Sequence, residues 1–127
     1  MRFLIDTHVL IWFLEGSANL PPKLQDELNN DQNSIAISIA SLWELTIKIS
    51  LKKIVLSKTL QEVQVYILER DFVLLNISFE HLYHLSNLPH YHKDPFDRLL
   101  IAQAITENLT IISADQYFKS YPVMVIW

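Results

Sequence analysis

The chain has 127 residues, half of them hydrophobic, with one glycine, five prolines, no cysteine and a formal net charge of −4. That is enough apolar material for one domain with a real core, and it excludes disorder, disulfides, thiolate metal ligands and a cysteine nucleophile. The acidic balance argues against holding nucleic acid by a broad positive field.

After Arg2 a short apolar run, Phe3-Leu4-Ile5, reads as a buried strand and stops at Asp6, too short for a signal-peptide core or a membrane span. The expectation is a soluble, cytoplasmic protein without membrane contact. Residues 7 to 14 are apolar enough for a buried first helix, and Pro21-Pro22 opens a second whose apolar points Leu24 and Leu28 are one turn apart. A polar loop, 29–33, leads to a strand at Ile35-Ala36-Ile37. Ser38 or Ser41 then caps a helix carrying Leu42 to Ile49. Leu60, Val63 and Ile67 mark a helix over 59–70, Phe72 to Ile77 a third strand, and Ser78 the cap of a helix bearing Phe79, Leu82 and Leu85. The clearest helix start is Asp94-Pro95-Phe96-Asp97, with Asp94 at the N-cap, Pro95 at N1 and Asp97 at N3. Strands at 109–113 and 123–126 complete the chain. This β-then-α alternation, without repeats or a composition break, predicts a single α/β domain over 1–127 with a mainly parallel sheet and helices on both faces.

Two of these strands end on aspartates, Asp6 and Asp115, and an acidic pair opens a long helix. In an open α/β sheet such positions converge at the carboxyl ends of the strands. Carboxylates brought together raise one another's pKa unless a cation sits between them, so a divalent metal site is the first expectation. Each acidic residue also has a purely local role. Asp94 caps its helix, Asp97 complements the helix dipole, Glu44 pairs with Lys48 one turn on, and Asp6 and Asp115 close Asx turns.

Asp6-Thr7-His8 after the first strand, Ser41-Leu42-Trp43-Glu44 on a helix, His92-Lys93-Asp94-Pro95-Phe96-Asp97-Arg98 opening another, and Ser113-Ala114-Asp115 after a late strand together resemble the PIN-domain nucleases. More narrowly the chain is similar to the VapC-like toxins of type II toxin–antitoxin pairs, across essentially its whole length. The resemblance implies a PIN-like three-layer sandwich and a Mg2+-dependent endoribonuclease, with Mn2+ as a possible substitute. It places the acidic catalytic and metal-binding positions at Asp6, Glu44, Asp97 and Asp115, with Asp94 an auxiliary ligand or only a cap. Thr7 and Ser113 stand beside acidic positions and, with Arg98 and Lys93, are the candidate substrate contacts. The implied partners are RNA, a cognate antitoxin and a second copy of the chain. Trp12, Phe13 and the tail Val125-Ile126-Trp127 are candidates for a homodimer surface, or else for the core.

Other readings compete. Tyr91, Phe96, Tyr117 and Tyr121 either stack on unpaired bases or pack internally. His81 and His84 on one helix face, with His90 and His92 after it, are the residues of a conceivable zinc site, although their spacing is no recognised ligand pattern. No Gly-x-Ser-x-Gly elbow exists, and Gly16 alone builds no phosphate loop. The alternative from another class is a non-catalytic PIN-like binding or assembly module, in which the acidic residues are caps and ion pairs.

Overall fold

A computed structural model describes residues 1–127. The chain runs β1 (Arg2–Ile5), α1 (Thr7–Glu15), α2 (Pro22–Asn29), β2 (Ser34–Ser38), α3 (Ile39–Ser50), α4 (Leu60–Glu69), β3 (Val73–Leu75), α5 (Phe79–Asn87), α6 (Pro95–Glu107), β4 (Thr110–Ile112), a 3-10 turn (Gln116–Ser120) and β5 (Val125–Ile126). The five strands form one sheet in the order β3-β2-β1-β4-β5, and every pairing is parallel.

Side chains alternate across the sheet, as the strand period requires. Phe3, Ile5, Ile35, Ile37 and Ile112 face one core, closed by α1, α2 and α4 through Val9, Leu10, Leu24, Leu28, Val63 and Ile67. Leu4, Ala36 and Ile111 face the other, closed by Leu100, Ile101 and Ala104 of α6 with Phe118 and Tyr121. Helices on both faces of a parallel sheet give the three-layer sandwich expected from the sequence. A strand buried on both faces has no polar side, which is why β1 and β4 read as unbroken apolar runs.

Local signals set most boundaries. Asp6, Ser38, Thr59, Ser78 and Asp94 each cap the helix that follows, so Ser38 rather than Ser41 starts α3. Gly16, at φ 61°, ends α1 in the left-handed conformation that glycine adopts most readily. The predicted strand over 72–77 shrinks to Val73–Leu75. It lies at the sheet edge with one neighbour, and Val73 and Leu74 stay exposed. The strands at 109–113 and 123–126 likewise contract to three and two paired residues. Phe13 is in the core, and Trp12 packs on Trp127 with ring centroids 5.7 Å apart. No helix is long and apolar enough to cross a membrane.

Candidate metal centre

The chain moves outward from β1 in one direction through β2 and β3, then returns to the other side of β1 with β4. The crevice between β1 and β4 is therefore the switch point of the sheet, where α/β folds place ligands. Because Ile5 and Ile112 are register partners, the residues just after them are neighbours despite their distance in sequence. Asp6 Oδ1 accepts the Val9 N–H at 2.9 Å, and Asp6 Oδ2 accepts the hydroxyl of Ser113. Ser113 in turn accepts the Asp115 N–H at 3.0 Å. Asp115 caps the 3-10 turn through Tyr117 N–H, 2.9 Å from its Oδ1.

Two helices bring in the other carboxylates. Glu44, buried on α3, accepts the Thr7 hydroxyl at 2.7 Å on Oε1 and meets Lys48 Nζ at 2.9 Å on Oε2. The ion pair predicted between Glu44 and Lys48 thus exists, with the carboxylate buried. Asp94 Oδ1 accepts the N–H groups of Phe96 and Asp97 at 2.9 and 3.1 Å, as an N-cap does. Asp97, one turn into α6, has the Nε2 of His92 at 3.0 Å from its Oδ2, and the same nitrogen lies 3.0 Å from Asp115 Oδ2.

Burial, followed by the charges of Asp94, Asp6, Glu44 and Asp115, pushes the Asp97 carboxyl up to about 8. Burial also raises Asp6, with Asp115 adding to the effect, while hydrogen bonds from Ser113 and Val9 and the nearby His8 oppose it. The other four predicted acidic residues therefore all act on the charge of Asp97. Without a cation this group resists full ionisation. Its donors are hard carboxylate oxygens, the set that suits Mg2+ or Mn2+, and a divalent ion fits the residues present.

The candidate substrate contacts fare differently. Thr7 and Ser113 are fully buried, and each hydroxyl is occupied by a carboxylate of the centre. Arg98 does not reach outward as a phosphate contact should. It is buried, and its guanidinium donates to the carbonyls of Pro89 at 2.8 Å and Leu88 at 3.4 Å. Its place on the inward side of α6, beside an irregular loop whose carbonyls have no partners in a helix or sheet, accounts for this. Lys93 remains exposed, in a groove shared with Tyr91, His92, Asp94 and Tyr117. Tyr121 is buried and structural, Tyr91 and Tyr117 are exposed, and Phe96 packs edge-on against exposed Trp43 at 5.1 Å.

The four histidines do not assemble. His81 faces Glu107, His84 bonds Thr106 at 2.6 Å, and His90 is exposed. His92 instead belongs to the acidic centre, a part the sequence reading did not give it. The signal was its position just before the capping Asp94, which places its ring at the helix entrance.

The profile of the PIN domain family matches residues 3–123. No curated protein matches the chain in sequence. Among solved structures, VapBC2 from Rickettsia felis, bound to a promoter DNA fragment, is similar at TM-score 0.74 and 21% identity, covering 99% of this chain and 98% of that one. DNA-bound VapBC from Salmonella typhimurium is similar at TM-score 0.71 and 17% identity, covering 99% and 97%. A toxin–antitoxin complex from Klebsiella pneumoniae gives TM-score 0.66 and 23% identity, covering 98% and 95%. With a family profile spanning nearly its whole length, a five-stranded parallel sheet and acidic residues gathered at the switch point, the chain belongs to the PIN domain family.

Proposed function

We propose that this protein is a Mg2+-dependent endoribonuclease and the toxin component of a type II toxin–antitoxin pair. The observation that carries this reading is the gathering of Asp6, Glu44, Asp94 and Asp115 around Asp97, whose carboxyl is pushed up to about 8 by burial first and by their charges second. In this reading Asp6 and Asp97 are the principal ligands, Glu44 and Asp115 complete the site, and Asp94 fixes the start of α6. A divalent ion held by these residues would supply positive charge against the phosphoryl oxygens and lower the pKa of a water. Thr7 and Ser113 hold Glu44 and Asp6 at fixed angles, and preorganisation of this kind limits the rearrangement required at the moment of reaction. Lys93 and the exposed Tyr91 and Tyr117 flank the centre, where a phosphate and unpaired bases would lie.

An antitoxin partner is proposed from the neighbours, which are VapBC or toxin–antitoxin complexes; a homodimer is proposed from the family likeness. The test is incubation with a mixed single-stranded RNA pool in Mg2+, Mn2+ or EDTA, alongside Asp6→Asn and Asp97→Asn. Metal-dependent cleavage lost in both variants is the expected result. No cleavage, with no metal-induced rise in melting temperature, would instead make the chain a PIN-like binding module.

A further inference from the structure

His92, Asp97 and Asp115 offer three ligand atoms within 4.8 Å of one another, which invites a metal site with one nitrogen donor. The hydrogen bonds argue otherwise. Nδ1 of His92 lies 3.2 Å from the backbone nitrogen of Asp94 and accepts its N–H. A ring nitrogen that accepts a hydrogen bond carries no hydrogen, so the hydrogen of this ring sits on Nε2. That nitrogen is the one facing the carboxylates, and it makes a hydrogen bond to Asp115 Oδ2 at 3.0 Å. A metal-ligating histidine shows the opposite arrangement, donating from its far nitrogen and leaving the near one bare. Moving the hydrogen to Nδ1 would aim it at another N–H.

The ring is also held against turning. Its backbone N–H donates to the Tyr121 hydroxyl at 2.9 Å, and that hydroxyl donates to Pro89 O at 2.7 Å, where Arg98 is a second donor. The rings of Tyr117 and Phe118 pack against it at 5.3 and 5.9 Å. Buried Arg98 and Tyr121 thus find a role through this loop.

We propose that His92 is a positioning residue of the centre and not one of its metal ligands: its Nε2–H stays on the ring and holds Asp115, beside Asp97, in the orientation the ion requires. This rests on the metal-dependent reading above, but the tautomer can be measured without any ion. Long-range 1H–15N NMR of protein labelled with 15N-histidine should show the Nε2–H form of His92 both in EDTA and in saturating Mg2+. Pulsed EPR of the Mn2+-loaded protein should show no coupling to histidine nitrogen. His92→Phe, which keeps a ring but no donor, should weaken Mg2+ binding about 10- to 100-fold. His92→Gln, which restores an N–H at the same reach, should bind close to wild type. A hydrogen on Nδ1, loss of the Nε2 hydrogen on adding Mg2+, coupling of Mn2+ to histidine nitrogen, or wild-type Mg2+ affinity in His92→Phe would overturn the proposal. If no ion binds the wild type at all, the metal-dependent reading fails, and the tautomer alone decides whether His92 holds Asp115.

Discussion

Replacing Asp97 by asparagine should make the metal-free protein more stable. Folding raises the Asp97 carboxyl from 3.8 to about 8, with burial the first cause and the charges of Asp94, Asp6, Glu44 and Asp115 following. A carboxyl raised on folding releases its proton more readily when unfolded, so its ionisation erodes stability as pH climbs from about 4 to about 8, and the full loss persists above that. With 8 − 3.8 giving 4.2, and about 1.4 kcal/mol for each unit, a rigid site loses about 6 kcal/mol. Opening of the cleft to water lowers the figure. Half of it still moves Tm by about 10 °C, at roughly 3–5 °C per kcal/mol for a domain of this size. The assay is thermal unfolding of wild type and Asp97→Asn in EDTA between pH 5 and 9. The difference between the two should grow with pH in favour of the variant and level off above about pH 8. In Mg2+ at 100 times its Kd the wild type should regain about 3 kcal/mol, and the variant much less. A variant that melts at or below wild type in EDTA at pH 8 would refute the reasoning, since the cost assigned to the Asp97 charge would not exist.

Three further outcomes follow from the hydrogen bonds. Ser113→Ala removes a donor that lowers the Asp6 pKa, so Mg2+ affinity should drop by about tenfold, read from the Mg2+ dependence of Tm. Tyr121→Phe strips the hydroxyl that links His92, Pro89 and Arg98; with the buried His92 N–H left unpaired, it should cost about 1–3 kcal/mol in urea unfolding and speed amide exchange in residues 90–93. Ser41 Oγ is buried without a hydrogen-bond partner, so Ser41→Ala should hold or raise stability by about 1 kcal/mol, whereas a loss above that would mean the hydroxyl has a partner in solution.

What could be read from the chain was whatever depends on near neighbours. Asp94 caps α6 through N–H groups two and three residues on, and Asp6 caps α1 in the same way, so both appear in the order of residue types. The apolar runs of β1, β2 and β4 announced a sheet covered on both faces, and their alternation with helices announced that it is parallel. Asp6 and Asp115 stood out because aspartate is a poor strand residue and each follows closely on a buried strand.

Direction and partnership across the fold were not legible. Arg98 follows Asp97 in sequence, but each successive helical residue turns by about 100°, and only the packing of α6 decides that this one faces the 88–92 loop instead of the cleft. Thr7 and Ser113 look like residues free to meet a substrate until Glu44, 37 positions on from Thr7, and Asp6, 107 positions before Ser113, are seen to accept their hydroxyls. The place of His92 depends on three contacts at once, with Asp94 beside it and Asp97 and Asp115 beyond. Sequence alone determined which residues can ionise and where most of the helices begin, because these follow from residue type and from bonds a few residues long. The tertiary structure decided which charges share a cleft and which hydrogen points at which oxygen, because the register of β1 against β4 and the packing of α3 and α6 bring together groups that have no local relation.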